Sequence, residues 1–109
     1  MDEMNLNGDN LSEDQQQQML FMMLVQQHQQ IAMMGLGQME NPQTGETERE
    51  LKSAKFAIDT LIMLQEFTEG NLPDKLSNYL TETLNKLRVS YADEKESDDD
   101  PLTGEGEQE

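Results

Sequence analysis

Cysteine is absent from this chain of 109 residues, and histidine occurs only once. Without cysteine the chain has no disulfide, no thiol nucleophile and no thiolate metal site. A single histidine supplies too few ligands for a structural zinc ion, so we expect neither a metal nor a cofactor. Tryptophan is also absent, and two tyrosines and three phenylalanines are the only aromatic residues. This limits both the core and any surface on which bases could stack.

Basic residues are scarce. Seven lysines and arginines stand against 23 acidic residues, which gives a formal charge of -16 at pH 7. Residues 1–14 contribute -5 and residues 93–109 contribute -8, so the middle of the chain is only mildly acidic. A nucleic-acid backbone or an anionic membrane requires a basic face, which this composition does not supply. We therefore expect no nucleic acid and no membrane among the partners.

Long apolar runs are missing as well. The longest, Met19–Val25, has seven residues and is followed at once by the polar segment Gln26–Gln30, whereas a membrane span needs about 20 apolar residues. The acidic, polar start of the chain is unlike a secretory signal, which has a basic and then an apolar segment. The sequence is therefore typical of a soluble cytoplasmic protein.

Capping motifs and apolar spacing predict three helices. Ser12 to Gln15 and Thr47 to Glu50 form capping boxes, and Pro73 suits the first turn of a further helix. Apolar residues recur at steps of three and four, and no alternating segment indicates a strand. We predict an all-α fold, a small three-helix hairpin-type bundle over residues 12–92, with helices at about 13–34, 48–69 and 74–92. Acidic ends, residues 1–11 and 93–109, are predicted to be disordered.

The connections carry turn-forming residues. Pro42 and Gly45 predict an ordered turn between the first two helices, and Gly70 with Asn71 predicts the end of the second. The apolar stripe of the second helix is predicted as Leu51, Ala54, Ile58, Leu61, Ile62 and Gln65. That of the third is predicted as Leu76, Leu80, Leu84, Leu87 and Tyr91.

Several short motifs occur in a characteristic order. They are Leu36-Gly37, Pro42 to Gly45, Ala54-Lys55 with Ile58-Asp59, Thr68 to Leu72, and Leu87-Arg88. In this order and spacing the chain, from about Phe21 to Tyr91, resembles a short bacterial family known only as the domain of unknown function number eighteen-forty-four. The resemblance implies a helical architecture and brings no activity with it. The chain departs from the family pattern at Ile31, Phe67, Glu69 and Pro73.

The first helix has more apolar surface than one neighbouring helix can cover. Seven consecutive apolar residues occupy every side of a helix for two turns, so cover from two helices or from a second copy is needed. Its methionines indicate either ordinary core and dimer packing, which we favour, or an adaptable docking surface. The predicted interface consists of Leu20, Phe21, Met22, Met23, Leu24, Val25 and Ile31.

Asp59 and Arg88 are the charged residues most closely associated with the predicted core, because each adjoins an apolar stripe. Lys55 precedes Asp59 by four residues, one helical turn. The three predict an interhelical ion pair that fixes register, with a polar anchor for a ligand as the less favoured interpretation. His28 has no second ligand at helical spacing, so a partly buried or interfacial histidine is favoured over a metal ligand or a pH switch.

Catalytic machinery is difficult to assemble from these residues. A nucleophile needs an adjacent base and a group that orients it, and no phosphate-binding loop is present. We therefore expect a non-enzymatic protein-interaction module, an adaptor or regulatory subunit. We expect it to form a homo-oligomer through the first helix. A further, unidentified protein partner is an open alternative. Two further hypotheses stay open: a holdase-like chaperone for apolar segments, and a nucleic-acid mimic that acts through the acidic tail.

Overall fold

The computed structural model describes residues 11–99, which form three helices: α1 (Glu13–Gly35), α2 (Leu51–Phe67) and α3 (Asp74–Asp99). Within these residues no strand occurs, and the single β-bridge joins Asn41 and Glu46. The all-α prediction is therefore confirmed. The predicted disorder of residues 1–10 and 100–109 lies outside the described residues.

The start of α1 is the capping box that the sequence predicts. The Gln15 amide donates to the Ser12 hydroxyl at 3.1 Å, and the Ser12 amide donates to the Gln15 side-chain oxygen at 2.9 Å. Two of the amides that a helix start leaves without partners are thereby satisfied. Glu13 and Asp14 in the first turn also suit the positive end of the helix dipole.

The second predicted capping box is wrong, and α2 begins at Leu51 rather than at residue 48. In that box the amide of Glu50 would donate to Thr47. Instead it donates to the carbonyl of Gly35, at 2.8 Å, so the chain stays extended until it has crossed the end of α1. The helix also ends two residues early, at Phe67 rather than at residue 69.

The connection between α1 and α2 is an ordered turn, as Pro42 and Gly45 predict. The amide of Asn41 donates to Glu46, and the amide of Gly45 donates back to Asn41 at 2.7 Å. Gly45 has a φ of +74° and Gly70, at the corner after α2, a φ of +81°. Both values lie in the left-handed region that glycine adopts without penalty. At this second corner, the backbone amide of Asn71 donates a hydrogen bond to the carbonyl of Thr68.

The core lies where α2 packs against both other helices. Its fully or almost fully buried apolar residues are Val25, Ala32, Leu36, Ala54, Ala57, Ile58, Leu61, Leu76, Leu80, Leu84 and Leu87. The predicted stripes of α2 and α3 supply most of them, while Leu51, Ile62, Gln65 and Tyr91 are only half-buried. The predicted stripes are thus confirmed in position, although only Ala54, Ile58 and Leu61 of the predicted stripe of α2 are fully or almost fully buried.

The end of α1 lies very close to the start of α2 at Gly35. A Cβ atom there would lie 2.7 Å from the Glu50 carbonyl oxygen and 2.8 Å from the Ala54 amide nitrogen. Only glycine fits such a contact, since real Cβ atoms do not come that near to backbone. With Ala32 and Ala54 both fully buried, small residues let the end of α1 lie directly on the start of α2.

The third helix continues past residue 92, where the sequence predicted its end, to Asp99. Residues 93–99 are therefore helical and not disordered. Arg49, just before α2, donates to the Glu94 carboxylate and to the Asp98 carboxylate, each at 2.7 Å. This cation offsets the unfavourable placement of acidic side chains at the negative end of a helix.

Candidate functional site

The apolar residues of α1 separate into a buried side and an exposed side. Val25 is fully buried, so this member of the predicted interface is unavailable for a partner, and Phe21 is partly buried against the core. Leu20, Met23, Leu24 and Ile31 are exposed, at 53%, 41%, 37% and 40% of their surface. Met22 is half-buried. Leu20, Leu24, Gln27 and Ile31 follow one another at steps of four, three and four, and we call them the α1 stripe.

A second exposed stripe runs along α2, and the sequence interpretation missed it. Phe56 is 73% exposed, Phe67 80% and Met63 40%. Together with Thr60 they again follow steps of four, three and four, and we call these four residues the α2 stripe. The signal was present in the sequence, because this spacing is the one that marks an apolar face.

The α1 stripe lies on the side of its helix away from α3. On α1, Gln29 and Met33 line the open groove next to Leu87 and Val89 of α3. At about 100° per residue, the α1 stripe is about 170° around the helix from Gln29 and Met33. The α2 stripe belongs to the same surface of the molecule only if it, too, lies on the side of its helix away from α3.

The α2 stripe also lies on the side of its helix away from α3. Ile58 and Ile62 line a pocket shared with α3, and Gln65 donates a hydrogen bond to Thr81 of α3 at 3.1 Å. The α2 stripe lies about 160° around the helix from these residues. Both stripes consequently share one face of the α1–α2 hairpin, which we call the outer face.

The predicted pairing of Asp59 with Arg88 is wrong. Asp59 accepts a hydrogen bond from Lys55 at 2.7 Å, one turn earlier in the same helix, and within residues 11–99 Arg88 has no ion pair. This bond raises the pKa of Lys55 above its usual value. Because both partners belong to α2 and are more than half exposed, the pair does not fix the register of two helices.

Asp59, Lys55 and Arg88 nevertheless surround one shallow pocket of about 200 Å³ between α2 and α3. Its remaining walls are Ile58, Ile62 and Tyr91. The residues have no buried polar atom aimed into the pocket, and the Lys55–Asp59 pair is directed along the helix surface. The pocket is therefore better described as a surface depression between two packed helices than as a ligand-binding site.

His28 is half-buried and its Nδ1 donates to the Leu24 carbonyl, 3.0 Å away. The bond ties the ring to its own helix, one turn back. In the described part of the chain, no three histidine, cysteine, aspartate or glutamate side chains are grouped so that they could hold a metal ion. His28 is therefore not part of such a group in residues 11–99.

The helices of residues 11–99 include none that is long and apolar enough to cross a membrane. The cytoplasmic location expected from the sequence stays a prediction.

Residues 11–99 form a small three-helix domain with an exposed apolar face. The chain belongs to the family described as a domain of unknown function (DUF1844), whose model matches residues 18–93. The resemblance read from the short motifs is thereby confirmed. Comparison with curated proteins and with solved structures yields no match to this chain. The matched residues include both stripes of the outer face and all but the acidic end of α3.

Proposed function

We propose that this protein is a non-enzymatic interaction module, an adaptor or regulatory subunit, that associates with itself through the α1 stripe. The observation that supports this most directly is the two-sided apolar surface of α1. Val25 and Ala32 are fully buried against the rest of the molecule, while Leu20, Leu24 and Ile31 remain exposed on another side. A large apolar patch on a small domain marks an interaction surface.

The charge distribution supports the same proposal. Between Asp14 and Glu40 the sequence has no lysine, arginine, aspartate or glutamate. Copies of a chain with a net charge of -16 repel one another, and the repulsion is weakest where the approaching surfaces are neutral. The α1 stripe is such a surface, since glutamines flank it on both sides of the helix.

Analytical ultracentrifugation of the Leu24→Glu and Ile31→Glu variants tests the proposal. The native chain is expected to sediment with at least twice the 12.5 kDa of one copy, and the variants are expected to sediment as monomers because a buried carboxylate is costly. Gln26→Glu is the matched control: it adds the same charge about 130° around the helix from the stripe. A native chain that is monomeric, or variants with unchanged mass, would refute self-association.

A holdase-like chaperone is the second candidate. Met23, Phe56 and Phe67 are exposed, flexible or aromatic side chains of the type that accommodates varied apolar segments. The assay is light scattering of an aggregating client protein with and without the native chain. Suppression by the native chain that is lost in Phe67→Gln would support the chaperone, and no suppression would exclude it.

The nucleic-acid mimic has less support. Its carboxylates would have to be free to meet a basic site, but Glu94 and Asp98 are engaged by Arg49. We therefore retain self-association as the proposed function.

A further inference from the structure

The spacing of the four residues in the α2 stripe is the same from either end of the stripe. Its steps of four, three and four place Phe56 at one end, Phe67 at the other, and Thr60 and Met63 between them. A two-fold axis across the centre of this stripe would set Phe56 of one copy against Phe67 of the partner subunit, and Thr60 against the partner subunit's Met63. An isologous interface pairs one surface patch with the same patch of a second copy in this way.

We infer that the α2 stripe packs antiparallel on the same stripe of a second copy, so that two α1–α2 hairpins join through their outer faces into a four-helix bundle with α3 outside. This inference rests on the proposed self-association and specifies its geometry. The spacing of four and three is that of helices packed at a shallow angle, about 20°, as in four-helix bundles.

The α1 stripe takes part in the same contact. It has the same four-three-four spacing, it lies on the same face, and α1 and α2 run antiparallel because Gly35 at the end of α1 touches Ala54 at the start of α2. The axis that brings α2 onto α2 therefore also brings α1 onto α1. Each hairpin supplies two helices of the bundle.

The exposed area suits a dimer of this kind. The large exposed apolar side chains of the outer face are Leu20, Met23, Leu24, Ile31, Phe56, Met63 and Phe67. With roughly 200 Å² for a fully exposed large side chain, their exposed fractions amount to about 700 Å² per copy. Two copies would bury about 1,400 Å², which is within the range of stable protein interfaces.

The shape and charge of the molecule favour a second copy over a charged partner. The molecule measures only 16 Å along its shortest axis. Within residues 11–99, α3 therefore covers one face of the α1–α2 hairpin and no further element covers the outer face. None of the eight residues in the two stripes is charged. A partner recognised by charge would be expected to bind the acidic ends of the chain, whereas an uncharged apolar stripe, with the exposed Lys52 one turn before Phe56, fits an equally uncharged one.

Sedimentation of the full-length Phe56→Gln/Phe67→Gln variant tests the inference. The dimer dissociation constant is expected to rise on the order of 100-fold, because aromatic residues dominate most interfaces. Val89→Gln is the matched control, since Val89 is 63% exposed but lies on α3. If the α1 stripe variants dissociate while the α2 double variant remains dimeric, the inference fails and the proposed self-association stands.

A second measurement does not depend on destabilising the dimer. The chain has no cysteine, so Thr60→Cys introduces a single thiol near the expected two-fold axis. A short bifunctional maleimide should link two copies of this variant, and should leave Asn78→Cys, an exposed position on α3, unlinked. Equal linkage of the two variants, or none for Thr60→Cys, would overturn the antiparallel arrangement. Linkage to another protein in place of a second copy would overturn it as well.

Discussion

Arg49 and Glu50 are neighbours in the chain, yet they attach the start of α2 to the other two helices by opposite means. Glu50 uses its backbone amide, which donates to Gly35 at a contact where a Cβ atom has no room. Arg49 uses its side chain, which reaches Glu94 and Asp98 of α3 on the surface. The first attachment is made by close packing and the second by charge.

The two attachments differ in how they respond to solvent. Close packing excludes water, so its contribution is insensitive to salt. The side chains of Arg49, Glu94 and Asp98 remain 36%, 35% and 44% exposed, and ion pairs this exposed contribute little and weaken as salt rises. The attachment at Glu50, which we call the rigid junction, is thus insensitive to salt. The attachment at Arg49, which we call the charged junction, weakens as salt rises.

The largest effect is expected at the rigid junction. Gly35→Ala places a Cβ within 3 Å of the Glu50 and Ala54 backbones, and overpacking of this kind costs about 1–3 kcal/mol of unfolding free energy. Urea unfolding followed by circular dichroism measures it. Gln30→Ala, an exposed position on the same helix, is the control and should be neutral or slightly stabilising. Equal stability of the two variants would show that α1 and α2 can move apart at no cost.

A smaller effect is expected at the charged junction. Arg49→Gln should lower the unfolding free energy by about 1 kcal/mol or less, because the ion pairs are exposed. It should also accelerate amide hydrogen exchange in residues 93–99, since Arg49 makes the hydrogen bonds that join Glu94 and Asp98 to the start of α2. Lys52→Gln removes the same charge from an exposed site near the start of α2. Unchanged exchange in Arg49→Gln would refute the attachment.

Salt and pH sharpen this second prediction. The hydrogen bonds that Arg49 donates to Asp98 and, to a lesser extent, to Glu94 raise the pKa of Arg49 above its usual value. A raised pKa contributes stability that is fully present below the usual guanidinium pKa and is lost only as pH rises through the higher value. Neutral and mildly alkaline pH should therefore leave the Arg49 contribution unchanged, whereas about 1 M salt should bring native exchange rates in residues 93–99 close to those of Arg49→Gln.

The smallest effect is expected for a pair that connects no two helices. Lys55→Gln removes the bond to Asp59 within α2, and because both side chains are more than half exposed, no measurable change in melting temperature should follow. Differential scanning calorimetry provides the check. A clear drop would mean that Asp59 has a role in packing that its exposure does not suggest.

Local patterns predicted the parts of the fold that local bonds decide. The Ser12 box, the buried leucines of α3 and the corner at Gly70 each depend on residues within a few positions of one another. The Thr47 box failed because the Glu50 amide is taken by Gly35, 15 residues earlier. The end of α3 was missed because its cation comes from Arg49, 45 residues away from Glu94.

The candidate site shows the same division. Leu20 and Leu24 were included in the predicted interface because the run Met19–Val25 has more apolar residues than a core contact needs, and Ile31 continues the apolar surface beyond that run. Phe56 and Phe67 were missed because α2 already had one apolar stripe that accounted for its core contact. Whether a second stripe is exposed depends on the orientation of α2 about its own axis, which is decided by the packing of α2 against both α1 and α3.

The extension of α3 past the core has a consequence for how molecules approach one another. From Tyr91, the last residue that packs against the core, to Asp99 the helix rises about 12 Å. This exceeds the Debye length, which is about 8 Å at physiological ionic strength. At that ionic strength the charge of Asp98, about 10 Å beyond Tyr91, is therefore largely screened from the part of α3 that packs against the core. In dilute buffer the screening is lost, and the same overhang acts as an electrostatic spacer that keeps the copies apart.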